Sequence, residues 1–368
     1  MKIAIDISQS IYGTGVSVYT KELVKNLIEL YPKSEFVLFG GSLRRYKELE
    51  SITKKLGGTP KIYPFPPSVM DFIWNSLHIY PIEKLTGQFD IFHSSDWTEP
   101  PSKLPKVTTV HDLVAFKYPQ TTTNKIRLAH KKKLAWVIRE SKRIIAVSES
   151  TKNDLIDILR VPKDKIVVIP EGVEDRVQPQ PIEIQEIVKR RYKTGENFIF
   201  ALSTLEPRKN LDGLIKAYQI VRKVYPELNL VIGGMKREDS QDIADDPQII
   251  TTGYIPTPDL PALYSACTVF AHCAFYEGFG LSPLQAMACG ASVAVSNTSS
   301  IPEVVGKAGS YFDPYEPKSI AEGIITAIKD RAKMRPIALA QSQKFTFSQA
   351  AKKTYAVYEE VLSDLKKI

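Results

Sequence analysis

Short apolar runs rich in β-branched residues alternate along nearly the whole chain with longer segments whose apolar residues recur every three or four positions. That rhythm predicts parallel strands joined by helices that cover both faces of a sheet. In the first half, strands are expected over Lys2–Ser8, Glu35–Gly40, Phe89–Ser95, Lys106–Leu113, Arg143–Glu149 and Lys165–Pro170. Between the first two, Val16, Tyr19, Leu23, Leu27 and Leu30 mark one face of a helix. From Glu174 to Pro181 the rhythm breaks, with Pro179 and Pro181 and few apolar residues, which predicts a linker. It resumes over Asn197–Thr204, Leu228–Gly234, Gln248–Ile255, Thr268–Phe275 and Ala291–Thr298, and two helical stretches follow near Glu316–Lys329 and Ser348–Lys366. The expectation is two doubly wound α/β domains, residues 1–175 and 176–347, with a last helix, 348–368, free to cross back to the first. Two such domains facing each other leave a ligand cleft between the carboxyl ends of their sheets.

Composition narrows the class. Of 368 residues, 43% are hydrophobic and 24% charged, which fits a globular chain and excludes disorder, a collagen-like repeat or a coiled coil as the main architecture. The net charge of +8 is uneven: the first 175 residues carry 26 basic and 20 acidic side chains. That half suits an anionic ligand or an anionic membrane surface, whereas the long basic runs of a nucleic-acid-binding arm are missing. The run from Arg127 to Trp136 sets Lys131, Lys132 and Lys133 beside Leu134 and Trp136, a pattern that fits either membrane contact or a plain solvated helix face. No apolar stretch approaches the ~18 residues of a membrane span and no signal peptide begins the chain, so a cytoplasmic protein is expected, with contact to the inner face of the membrane as an option. Cys267, Cys273 and Cys289 lie in apolar surroundings without a Cys-x-x-Cys pair, so neither a disulfide framework nor a zinc site is expected.

Three strand-to-helix junctions carry candidate chemistry. After Thr268–Phe275 come Glu277, Gly278, Phe279, Gly280 and Leu281, with Pro283 in the first turn of the next helix. Such a turn exposes backbone N–H groups at a positive helix end, which suits a diphosphate, and Glu277 beside it can accept hydrogen bonds from sugar hydroxyls. Glu206-Pro207-Arg208-Lys209-Asn210, preceded by Leu205, offers two cations that could hold a leaving diphosphate. Tyr12-Gly13-Thr14-Gly15 forms a third such loop, although Val18 stands where a dinucleotide fingerprint needs glycine. His111-Asp112 closes the strand that begins at Lys106, at the expected cleft edge. Each has a bland alternative: a tight turn for the glycines, solvated loop charges for the rest. His78, His93, His130 and His272 have no metal-ligand spacing and suggest packing or surface roles. No Asp-x-Asp occurs, so the usual acidic clamp for a divalent metal on a nucleotide diphosphate is absent.

Together with Thr252-Gly253-Tyr254-Ile255-Pro256 and Asn297-Thr298-Ser299-Ser300-Ile301-Pro302-Glu303-Val304, these segments resemble the family-4 retaining glycosyltransferases of the GT-B fold, and most of all the bacterial members that build surface polysaccharides, often mannosyltransferases. The resemblance implies metal- and cofactor-free transfer of a hexose from a GDP- or UDP-sugar to a saccharide or lipid-linked acceptor, with retained configuration. Arg208 and Lys209 would bind the diphosphate, the Gly278–Leu281 backbone would hold sugar and phosphate, and Glu277 would bind sugar hydroxyls. Tyr254 and Ile255 would hold the base, while His111 and the loop from Gly13 to Gly15 would lie on the other side of the reacting centre. One position departs from the family's Glu-x7-Glu: Gln285 replaces the second glutamate, which in the family accepts the ribose hydroxyls. A neutral carbonyl there implies a donor complex weaker by about 1 kcal/mol. Two alternatives follow, a nucleotide-sugar-binding protein with weakened or no transfer and a sugar-nucleotide epimerase of the same fold.

Overall fold

The strand Lys2–Asp6 (β1) pairs in parallel on both sides, Ile3 lying opposite Phe36 in one neighbour and Ile91 in the other. A strand in that position is shielded above and below, which is why Ile3, Ala4 and Ile5 are buried on both faces of the sheet. It sits within a seven-stranded sheet ordered β3-β2-β1-β4-β5-β6-β7, made with Glu35–Gly41 (β2), Thr59–Tyr63 (β3), Ile91–Ser94 (β4), Lys106–Val110 (β5), Arg143–Ala146 (β6) and Ile166–Val168 (β7). A second sheet has the order β10-β9-β8-β11-β12-β13, from Phe198–Leu202 (β8), Asn229–Gly233 (β9), Ile249–Gly253 (β10), Val269–His272 (β11), Val293–Ser296 (β12) and Gly309–Phe312 (β13). In each sheet the strand order reverses once, at β1/β4 and at β8/β11, and parallel α/β sheets bind ligands beyond the carboxyl ends of their strands at such points.

This computed structural model describes residues 1–94, 97–203, 206–234 and 246–366. Ser95, Thr204 and Leu205, which fall within expected strands or loops, lie outside them. The chain divides into two units, Met1–Gly172 with Thr346–Ile368, and Val173–Phe345. In the first unit the final helix, Phe347–Leu365, packs Phe347, Tyr355, Tyr358 and Val361 into the same core as Ile3, Leu23 and Leu27. Tyr355 stacks on Tyr31 with ring centroids 3.5 Å apart, and the Tyr358 hydroxyl meets His93 Nδ1 at 2.6 Å. The second unit buries Leu214, Tyr218 and Val221 of the helix Leu211–Val224 against β8 and β9.

Several strands stop earlier than the apolar pattern suggests. The run expected to reach Leu113 leaves its ladder after Val110, and those expected to end at Phe275 and Thr298 stop at His272 and Ser296. Of the apolar residues beyond these ends, Leu113, Cys273 and Ala274 are buried and Phe275 is half-buried. β3 and β13, which the pattern did not indicate, are edge strands whose residues are mostly exposed or half-buried.

The basic run after Arg127 is only partly at the surface. It lies on the helix Asn124–Glu140, where Lys133 and Leu134 are buried. Trp136 stacks on His78, centroids 3.6 Å apart, and donates to the Asn75 carbonyl. Leu134 thus serves the core while Trp136 is half-buried, and Lys131 and Lys132 stay exposed, Lys132 bonded to the Ser76 hydroxyl. Among the described residues no helix is long and apolar enough to cross a membrane.

Candidate active site

In the second unit, the two strands at the order reversal send their following loops to one place. After β8, Pro207–Lys209 forms a single 3-10 turn, and Asn210 enters the left-handed region at φ 55° to cap the helix Leu211–Val224. Its Oδ1 accepts from the Gly213 N–H at 3.2 Å, while Nδ2 donates to the Pro314 carbonyl at 2.6 Å. The Phe275 N–H then bonds the Arg208 carbonyl at 2.8 Å, tying this turn to the loop after β11.

Glu277 is the centre of that second loop. Lys209 Nζ donates to its Oε1, and Arg208 lies 3.2 Å from its Oε2. Arg208 also donates through Nη1 to the Tyr276 carbonyl at 3.0 Å and through Nε to Glu206 at 3.0 Å, which fixes the plane of its guanidinium. All three side chains are only about 14–15% exposed. Burial alone would raise the Glu277 carboxyl, but Lys209 and Arg208 outweigh it and hold it well below the usual carboxylate range. His272 Nε2 stands 3.3 Å from the same carboxylate without the alignment of a hydrogen bond, and burial lowers its pKa, so the imidazole stays neutral. The sequence reading placed His272 among packing residues; the structure puts it against the centre of the cluster.

Two serines set the turn itself. Ser299 Oγ accepts from the Glu277 N–H at 3.0 Å, and Ser300 Oγ donates to the carbonyls of Glu277 and Phe279 at 2.9 and 2.7 Å. With its carbonyls so fixed, the turn delivers Gly280, at φ 109°, to the start of the helix Leu281–Ala288, where no side chain caps the first N–H groups. A Cβ on Gly280 would lie 2.9 Å from Ile301 Cδ1 in a conformation that L residues avoid. Gly280→Ala is therefore expected to lower stability by about 1–3 kcal/mol. Thermal unfolding checks this, and an unchanged midpoint would show that the turn tolerates another geometry.

The other predicted residues divide by what their side chains do. Phe279 packs on Phe345 at 5.9 Å and Ile255 is buried over Gly233, so a ligand at either position meets backbone. Tyr254 is 63% exposed after β10. Gln285 is buried with its amide committed: Nε2 donates to Glu174 Oε2 at 2.8 Å, and Oε1 accepts from the Tyr264 hydroxyl at 3.4 Å. Glu174, at the start of the expected linker, was not singled out from sequence.

In the first unit, Gly13 takes φ 70° and the helix Gly15–Leu30 begins with a capping box, Thr14 and Ser17 each accepting from the other's N–H. His111 follows β5, 8% exposed, with Nδ1 2.9 Å from Glu171 Oε1. Beyond the carboxyl ends of β1, β2 and β4 lies a cavity of about 340 Å³ lined by Ser8, Tyr12, Asp71, Trp97, Lys125 and Ile126, among others.

Two doubly wound parallel sheets, with a cation–carboxylate cluster and an uncapped helix start at the reversal of the second, define a glycosyltransferase of the GT-B fold. The chain belongs to that family: residues 13–177 match Glycosyltransferase Family 4, and residues 183–344 match Glycosyl transferases group 1. It is 29% identical to the O-antigen chain mannosyltransferase B of Escherichia coli, over 94% of this chain and 96% of that one. It is 34% identical to the serotype-specific mannosyltransferase WbdA of Escherichia coli over 56% of this chain, which spans 27% of that longer protein. Among solved structures, Anabaena Alr3699/HepE in complex with UDP and glucose shares the fold, with TM-score 0.73 and 17% identity over 98% of this chain and 100% of that one.

Proposed function

We propose that the protein transfers mannose from a nucleotide-diphosphate donor to a hydroxyl of a growing surface polysaccharide, with retained configuration and without a metal. The observation that carries this reading is the grouping of Arg208, Lys209 and Glu277 beside the uncapped start of Leu281–Ala288. Two fixed cations and free N–H groups suit a diphosphate, and the carboxylate between them suits sugar hydroxyls. The mannosyl preference draws on the names of the two Escherichia coli relatives, and HepE, which binds UDP, supports a nucleotide-linked donor.

In this mechanism the bond from the anomeric carbon to the phosphate oxygen breaks and its electron pair leaves with the diphosphate. Arg208 and Lys209 stabilise that charge. The acceptor oxygen bonds to the anomeric carbon on the same face, and its proton passes to the departing phosphate oxygen. The protein supplies position and electrostatics, and needs no general base of its own. In the first unit the cavity beside Tyr12 and Trp97 is the acceptor site in this reading, because exposed aromatic faces suit the C–H faces of sugar rings.

Incubation with GDP-mannose, UDP-glucose and a mannan oligosaccharide, followed by NMR of the product, tests the proposal. An α-linked mannoside formed equally well in the presence of EDTA is expected. Donor binding without transfer or hydrolysis, or an inverted product, would overturn it.

A further inference from the structure

The first unit carries a group of large apolar side chains that its cores do not absorb. Val69 and Phe72 leave the helical turns Pro67–Met70 and Asp71–Ser76 for solvent, and Leu77, Ile79 and Tyr80 follow in the next loop. Leu128 stands exposed on the neighbouring helix Asn124–Glu140. Phe72 and Ile79 are 57% and 54% exposed, and a contiguous group of this kind on a globular chain marks a contact surface. We propose that these side chains and the basic residues beside them form a docking surface for an anionic lipid bilayer. The surface does not depend on the function proposed above.

The loop is pinned from beneath so that these side chains stay outside. His78 and Tyr80 take left-handed backbone, φ 52° and 69°, which bulky residues adopt only where the surroundings enforce it. Here His78 is the anchor: Nδ1 lies 2.8 Å from the Trp74 carbonyl, Nε2 lies 2.7 Å from Glu140 Oε1, and the ring stacks on Trp136. Trp74 Nε1 donates to the Tyr80 carbonyl at 3.1 Å, and the Ile79 N–H to the Ile73 carbonyl at 3.1 Å. With His78 turned inward, Leu77, Ile79 and Tyr80 are left facing solvent. The neighbouring helix is tied alongside, Lys132 bonding the Ser76 hydroxyl at 3.0 Å and Trp136 the Asn75 carbonyl at 3.1 Å. Its exposed residues Leu128, Lys131, Lys132, Ala135 and Arg139 recur at helical spacing, so they form one face beside the loop.

Charge selects the occupant. Across residues 66–84 and 124–140, which carry the surface, every exposed ionisable side chain is basic: Lys84, Lys125, Lys131, Lys132 and Arg139. The three acidic residues of these segments are half-buried and engaged. Asp71 accepts from Asn75 at 2.7 Å, Glu83 from the Ser102 hydroxyl at 2.7 Å, and Glu140 is paired with Lys106 and His78. Lys84 lies 5.1 Å from the centre of the Tyr80 ring, so a cation stands at the very edge of the apolar group. Apolar side chains that enter the acyl region, rimmed by lysines long enough to reach headgroup phosphates, suit an anionic bilayer. A second copy of the chain seated on the same surface would set these cations against their own kind.

The test is co-sedimentation of the full chain with vesicles of phosphatidylglycerol and phosphatidylcholine in equal parts, and with phosphatidylcholine alone. Binding to the anionic vesicles that weakens as salt is raised, and little binding to the neutral ones, is expected. Phe72→Ser combined with Ile79→Ser should weaken binding about a hundredfold, and Lys131→Gln combined with Lys132→Gln about thirtyfold. Melting temperatures should stay close to wild type, because all four side chains are exposed. The apolar and the basic pair are separate probes, so a fold defect in one leaves the other to decide. Absence of binding by the wild type, equal binding to both vesicles, or undiminished binding by both double variants would overturn the inference. So would sedimentation equilibrium showing a dimer that Phe72→Ser with Ile79→Ser dissociates, since a second copy would then cover the surface. The vesicles contain no sugar donor, so a failure of transfer would sink the proposed function and leave this result standing.

Discussion

Lys209→Ala is expected to lower sugar transfer about a hundredfold to a thousandfold, the range found when one fixed donor to a developing negative charge is removed. The donor KM should change far less. Lys209 and Arg208 share Glu277, but their remaining bonds differ. Arg208 is also directed at the Tyr276 carbonyl and at Glu206, so its guanidinium builds the loop as well as the charge. Lys209 is an ammonium on a flexible stem that pairs with Glu277, and it can turn toward a diphosphate without dismantling the turn. Arg208→Ala should therefore reduce stability as well as rate, while Lys209→Ala should act mainly on kcat. A loss of less than about tenfold in kcat for Lys209→Ala would remove it from the leaving-group site. The pair also sets a pH limit. Because the Glu277 carboxyl is depressed in the folded protein, its ion pairs stabilise the fold above the ordinary carboxylate range. That contribution is lost only as pH falls through the lowered value.

How far the sequence carried this picture depended on burial and on distance along the chain. β1, β2, β8 and β11 are covered on both faces and stand out as continuous apolar runs. β3 and β13 close the edges of their sheets, with sequences such as Thr59-Pro60-Lys61-Ile62-Tyr63 that leave no such run. The helix Arg331–Ser342 was missed for a related reason, since Pro336 within it reads as a break. Arg208, Lys209 and Glu277 were legible because each lies just beyond a strand that the pattern marks. Glu171 and Glu174 were not: their partners are 60 and 111 residues away, and no local spacing announces a contact across that distance. Leu134 and Trp136 show the converse limit. An apolar stripe beside lysines has the same period whether it faces lipid or a core, and here packing took Leu134 inward and left Trp136 half-buried on His78.

Gln285→Glu restores the family's pair of glutamates and, on the motif alone, should strengthen donor binding. The opposite is expected here. Gln285 is 7% exposed and its amide nitrogen is bonded at 2.8 Å to Glu174, which is itself 2% exposed. The substitution exchanges that donor for a second carboxylate against the first. Arg176, 2.8 Å from the other oxygen of Glu174 but 52% exposed, is too solvated to neutralise both. Losing the hydrogen bond and adding buried like charge should destabilise the fold by about 3 kcal/mol. Part of this is relieved when the pair takes up a proton, so the new carboxyl titrates above its unfolded value. The deficit is then small at pH values below the ordinary carboxylate range and grows as pH rises until the raised folded value is passed. Calorimetry of Gln285→Glu at pH 5 and pH 8 should show the lower melting temperature, relative to wild type, at pH 8. Adding Glu174→Gln to the same chain should recover most of the loss, because donor and acceptor have merely changed places. If Gln285→Glu instead melted like the wild type at both pH values and bound donor more tightly, position 285 would be open to the ribose and the bond to Glu174 would be incidental.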